Sequence, residues 1–181
     1  MAVNVRKPVE DPTFWKDRIY DAVANRKELH EIIYQEHKLI WWRLQSETAE
    51  ILHEHISAGS VVLDAGCGYG ALADCLQDAR LLERIRYVGV DISPDLIDLA
   101  QRRYPSCSFS QGDLRHLEFP DKAFDWVICR AVERMIRDNI GDVAWEVMHT
   151  ELRRVGKRIL FLDYPTDFET PVPWHAEDVS K

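Results

Sequence analysis

Apolar residues are spaced differently on the two sides of Ser60. Before it, Leu29, Ile32, Ile33, Leu39, Ile40, Leu44, Ile51 and Leu52 fall at helical spacing and mark one long amphipathic helix. Trp41 and Trp42 widen its stripe, so that it meets more than one neighbour, and Ala58-Gly59 ends it. A preceding helix is expected in "DPTFWKDRIYDAVA", with Asp11 as N-cap and Pro12 at the first helical position. After Ser60, short apolar runs ("VVLD", "RYVGVD", "CSFSQGD", "FDWVICR", "RILFLDY") alternate with helical stretches ("GALADCLQDA", "PDLIDLAQRRY", "DVAWEVMHTELRRV"). Continuous Val/Ile/Leu runs suit strands buried on both faces, as in a parallel sheet. Their alternation with helices predicts right-handed crossovers and a doubly wound α/β domain. Three units are expected: helices over 1–59, the α/β domain over 60–164 and a tail over 165–181.

The 181 residues, 46% of them hydrophobic, suffice for one cored domain with an extension. The net charge of −8 works against binding nucleic acid, and no basic run offsets it. Cys67, Cys75, Cys107 and Cys129 form no CxxC pair, so neither a zinc site nor a redox motif is signalled. The N-terminal residues lack the apolar core of a signal peptide, and no apolar run is long enough for a membrane span. A cytoplasmic protein is the resulting expectation. His30 and His37 lie two helical turns apart and His53 and His55 point to different faces, so no metal site is expected from them.

Candidate chemistry concentrates in "VVLDAGCGYG", where Gly66, Gly68 and Gly70 follow the first strand and open a helix. Glycines there permit positive φ and close approach of a ligand to the main chain. Amides at the helix start favour an anionic group. Nucleotide cofactors and S-adenosylmethionine (SAM) both use such a turn. A GxGxx(G/A) pattern fits through Gly66, Gly68 and Ala71, but three further features favour SAM. Asp64, two residues before the first glycine, suits a cationic amino group and repels a pyrophosphate. Asp91, ending the second strand, can accept from both ribose hydroxyls, a feature shared with NAD binders. Asp113 can accept from an adenine amino group while Leu114 packs on the ring. For Asp91 there is the competing role of a helix cap, although Ser93 is better placed for it.

Taken together, VLDAGCGYG, VGVDIS and GDLRHLEFPDKAFDWVI, in that order, resemble the class I SAM-dependent methyltransferases, and within them the small-molecule (type 11-like) subgroup. The resemblance covers Val61 to Tyr164. It implies a Rossmann-like fold and transfer of a methyl group from SAM, leaving S-adenosylhomocysteine, to oxygen or nitrogen of a small-molecule acceptor. It implies that Asp64, Gly66, Cys67, Gly68 and Gly70 hold the methionine part, with Arg130 bordering it. Asp91 and Ile92 would hold ribose and adenine, and Asp113 and Leu114 adenine. Helices before the first strand often form a lid in this family, which makes Tyr20, Tyr34, Trp41 and Trp42 pocket candidates.

His116 and Glu133 are the candidates, by position alone, for a general base, needed only if the acceptor must lose a proton. "CRAVERM" carries neither the (N/D)PP(Y/F) stretch of amine- and amide-methylating relatives nor the Pro-Cys of cytosine C5 enzymes, and Arg134 stands where the subgroup often has a histidine. The family's closing antiparallel hairpin does not fit into "PTDFETPVPWHAEDVSK", whose prolines make it a poor central strand. Five strands in the order 3-2-1-4-5 are therefore expected, with "RILFLDY" as an edge covered by the tail, by the N-terminal helices or by a second copy, a homodimer through this edge or the N-terminal helices being the preferred expectation. Two other readings remain: a non-catalytic SAM-fold subunit that binds or activates a partner protein, and a NAD-dependent oxidoreductase.

Overall fold

A computed structural model describes residues 38–163 and 171–180. The helix expected from Asp11, and Tyr20 and Tyr34, lie outside the described residues, as do the side chains of Trp41 and Trp42.

β1 (Val61–Ala65) is buried on both faces from Val62 onward, as its unbroken apolar run requires. It pairs in parallel with β2 (Arg86–Asp91) on one side and β4 (Trp126–Arg130) on the other. β3 (Ser108–Gln111) extends the sheet beyond β2, and β5 (Arg158–Leu162) extends it beyond β4, both in parallel. The strand order 3-2-1-4-5 is thus as expected, with the reversal between β1 and β4 opening a crevice at their carboxyl ends.

Alternation along the strands divides the core in two. Val62, Trp126, Ile128 and Leu160 face a layer that includes Leu52 of α1 (Lys38–His55) and Ile56 just past it, Leu72 and Leu76 of α2 (Ala71–Asp78), and Ile97 and Ala100 of α3 (Pro94–Arg103). Leu63, Val127, Cys129 and Ile159 face α4 (Val132–Asn139) and α5 (Asp142–Val155), through Ile136, Trp145, Met148 and Leu152. Ser93 caps α3, its Oγ accepting from the Leu96 amide at 3.4 Å, with Pro94 beginning the helix. α1 ends at His55, short of Gly59, whose φ of +85° turns the chain into β1.

Two elements differ from expectation. α4 begins within the "CRAVERM" segment, read above only for its motifs, and runs on to Asn139; Val132 and Ile136, one turn apart, are its buried anchors. The sheet has six strands, not five: β6 (Trp174–Asp178) pairs antiparallel with β5, from Arg158 opposite Asp178 to Leu162 opposite Trp174. Pro171 and Pro173 precede this strand instead of interrupting it, and an edge strand tolerates them. Among the expected covers for the β5 edge, the tail is the one observed, so that edge is not open to a second copy. A segment tethered a few residues away pairs at a higher effective concentration than a separate chain. Val179 is buried just beyond β6, where its carbonyl accepts from Lys122 Nζ at 2.5 Å.

A chain shortened to residue 170 leaves the apolar edge of β5 unpaired. It is expected to melt lower, by about 2–4 °C per kcal/mol lost in a chain of this size, and to self-associate in a sizing experiment. An unchanged melting point would remove β6 from the stabilising elements.

Candidate functional site

The turn after β1 is built from residues that a side chain would spoil for different reasons. Gly66, Gly68 and Gly70 have φ of +78°, +52° and +84°, in the left-handed region that only glycine enters at low cost. A Cβ at Gly66 would lie 2.5 Å from Val132 Cγ2, so its bareness serves packing. A Cβ at Gly68 would meet nothing within 4 Å; there the space is open. The turn's amides are engaged inside the protein. Those of Gly66 and Cys67 donate to Val90 O at 2.8 and 3.0 Å, that of Gly68 to Asp91 Oδ2 at 2.9 Å, and that of Gly70 to Cys67 O at 2.9 Å. The expectation that a ligand's carboxylate meets amides at the helix start therefore narrows to the first turn of α2, where Ala71 and Leu72 line the cleft.

This cleft, of about 310 Å³, lies at the carboxyl ends of the parallel strands. Each position expected to bind the ligand, except Gly70, lines it. Gly70 instead supplies the left-handed residue that begins α2, against the Tyr104 ring.

One end of the cleft carries Asp64 and Arg130. Asp64 is buried, and Tyr87 donates its hydroxyl to Oδ2 at 2.5 Å. Burial pushes its carboxyl up to about 7, against the opposing pull of the Tyr87 bond and the Arg130 charge. Asp91 follows on the next strand, its Oδ1 accepting from the Ser93 amide at 2.9 Å while Oδ2 holds Gly68. Burial raises its pKa in spite of those bonds. Ile92, Leu96 and Leu114 supply apolar surface around this middle region.

Asp113 does line the cleft, but Arg115 grips it: Nε donates at 3.0 and 2.9 Å to its two oxygens and Nη2 at 2.5 Å. Burial raises the Asp113 pKa and the Arg115 bonds and charge overcome it, leaving the carboxyl below its ordinary value. Sequence reasoning passed over Arg115, although a basic residue two positions after the acid was visible. It also passed over Val132, Met135, Ile136, Ile140 and Met148, which wall the cleft on the α4–α5 side. For Val132, Met135 and Ile136 the helical spacing in "VERMI" was the available signal.

Glu133 and His116 are not brought into the cleft. Glu133 Oε1 accepts from Arg137 Nε at 3.0 Å, one turn along α4, and borders a separate hollow with Arg134 and Asp138. The backbone amide of His116 donates to Asp113 O in a tight loop. Among the described residues, no group of three or more His, Cys, Asp or Glu could hold a metal, and no helix is long and apolar enough to cross a membrane.

The sequence matches the family model of a methyltransferase domain over residues 62–157. It is 42% identical over 118 residues to a fatty-acid O-methyltransferase of Mycolicibacterium smegmatis, covering 62% of this chain and 40% of that protein. It is 35% identical over 86 residues to the malonyl-[acyl-carrier protein] O-methyltransferase of Yersinia pestis, covering 45% and 30%. A crystal structure from Pyrococcus horikoshii superposes with a TM-score of 0.56 at 31% identity, over 67% of this chain and 57% of that one. A chain from a Haloferax volcanii complex containing the Trm112 methyltransferase activator shares the fold at a TM-score of 0.59 and 23% identity, over 88% of this chain and 62% of that one. This chain belongs to the methyltransferase-domain family. It spans less than half the length of the two curated relatives.

The raised pKa of Asp64 has a signed consequence. The unfolded chain releases this proton near the ordinary 3.8, and the folded chain keeps it to about 7. The stability associated with this carboxyl is therefore complete below the unfolded value and is lost as pH rises through the folded one. Asp64→Asn removes that dependence. Its melting temperature is expected to vary less than the wild type's between about pH 5 and 8, and to exceed it above about pH 7. Parallel curves for the two proteins would contradict the assignment.

Proposed function

We propose that this domain is a SAM-dependent methyltransferase acting on a small-molecule acceptor at oxygen or nitrogen, and that a carboxylate on an apolar body fits it best. The observation that carries the reading is one cleft lined from three successive strand ends by the residues of the sequence pattern. The residues fit the donor. Asp64 and Arg130 offer opposite charges to the two ends of an α-amino acid. Asp91 presents a carboxylate held in place by the Gly68 and Ser93 amides, suited to a pair of ribose hydroxyls. Ile92, Leu96 and Leu114 suit an aromatic base. Open space at the missing Gly68 side chain leaves room for close approach.

A bound sulfonium donor supplies an activated methyl group and a neutral leaving thioether. The work of the protein is then to align and to exclude water. Asp64 releases its proton as a cationic amino group arrives, because that charge offsets the cost of burial. Val132, Met135, Ile136 and Ile140 form an apolar wall that suits the body of an acceptor. Among the described residues, neither histidine nor glutamate lines the cleft. A carboxylate is already deprotonated at neutral pH, so its methylation requires no base. The names of the Mycolicibacterium and Yersinia relatives support the same acceptor class.

Two measurements test this. S-adenosylhomocysteine is expected to bind in calorimetry, and Asp91→Ala to weaken it at least about tenfold, as loss of hydrogen bonds to a buried charged acceptor implies. Methyl transfer from SAM to a panel of free fatty acids and apolar amines is expected to favour the acids. Transfer to the amines alone would reverse the acceptor assignment. Tight binding with no transfer to either would favour a non-catalytic, partner-binding role.

A further inference from the structure

Arg130 stands at the carboxyl end of β4, where a long side chain over a crevice has many rotamers to choose from. Its Nη1 lies 3.0 Å from Cys75 Sγ on α2 and 3.3 Å from Gln45 Oε1 on α1. Cys75 Sγ in turn donates to Gln45 Oε1 at 2.6 Å. The three groups close a triangle joining elements far apart in sequence, and Gln45 and Cys75 are both buried. Donors and acceptors are consistent throughout. Burial pushes the Cys75 thiol up to about 11, so it remains protonated at neutral pH and can donate. Two donors converge on Gln45 Oε1, which fixes the orientation of the amide. The guanidinium held there also lines the cleft beside Asp64.

We propose that Gln45 and Cys75 are positioning residues that hold Arg130 to receive the carboxylate of the donor's amino-acid end. The proposal rests on the SAM reading of the cleft and extends it to a residue outside the 62–157 span of the family match. A zwitterionic amino-acid group presents an ammonium and a carboxylate on one carbon. Asp64 and Arg130 present the opposite pair of charges at one end of the cleft, and only Arg130 has a flexible side chain that must be fixed in advance. Preorganising it lowers the entropy lost on binding. α1 thereby contributes to ligand selection as well as to packing.

The test compares two ligands by calorimetry, S-adenosylhomocysteine and methylthioadenosine. They share the nucleoside and thioether, but only the first carries the amino acid. The wild type is expected to favour the first. Gln45→Met, which keeps the volume and removes the acceptor, is expected to weaken S-adenosylhomocysteine about tenfold and leave methylthioadenosine within about twofold. Gln45→Glu keeps the shape, supplies a carboxylate that competes for the guanidinium, and is expected to move the ratio the same way; it serves if the Met variant does not fold. In Arg130→Gln the preference is expected to fall at least as far as in Gln45→Met, with the Asp64 contact to the ammonium remaining, and adding either Gln45 change to it should do nothing more. Equal weakening of both ligands, no weakening of either, or additive effects with Arg130→Gln would overturn the proposal. Failure of the wild type to bind either ligand would instead count against the SAM reading.

Discussion

The site depends on how the turn after β1 is fastened to the end of β2. Val90 O accepts from the amides of both Gly66 and Cys67, and the Asp91 side chain accepts from Gly68. The β1–β2 register, Ala65 opposite Val90, brings these groups together. The same contacts hold the glycines in left-handed conformations, set the direction of α2 and fix the Asp91 carboxylate. Gly89 assists from below: a Cβ there would lie 2.6 Å from Phe109 Cδ1 and 2.9 Å from Cys67 Sγ. Bare backbone on β2 therefore lets the ring and the thiol pack beneath the turn.

A chain with a net charge of −8 carries its polar groups in this cleft as a designed series. A buried acid and a guanidinium occupy one end, a bonded carboxylate the middle, and an Asp113–Arg115 pair the other side. Burying these charges is costly unless partners are supplied. Asp64 has Tyr87, Asp91 has two amides, and Asp113 has Arg115. The raised carboxyl of Asp64 shows that its partner offsets only part of the cost. Reserving electrostatic potential for a ligand at some expense of stability is common at functional sites.

The periphery is joined to itself as well as to the sheet. The Val172 amide donates to Glu47 Oε2 at 2.7 Å, and the His55 and Trp174 rings meet edge to face at 4.9 Å. Residues just before and within β6 thus touch α1, the helix that brings Gln45 to Arg130. Segments flanking the 62–157 span of the family match converge on one side of the molecule, where α1 packs against α2.

Local pattern by itself determined the parallel strands, the helices between them and the glycine turn, because unbroken apolar runs and positive-φ residues impose their structure on short stretches of chain. It also placed Asp64 and Asp91 at strand ends and Leu114 just after one, and so at the cleft. Tertiary structure alone decided the rest. "WHAED" has little strand character, and becomes β6 because the open ladder of β5 lies beside it. α4 was legible in the spacing of Val132 and Ile136, and the Glu133–Arg137 pair follows from helical spacing, but that the helix turns Met135 toward the cleft and Glu133 out of it depends on how α4 leaves β4. Gln45, Cys75 and Arg130 are separated by 30 and 55 positions, and no local periodicity relates them. Their meeting is set by packing between layers, which one-dimensional spacing does not encode.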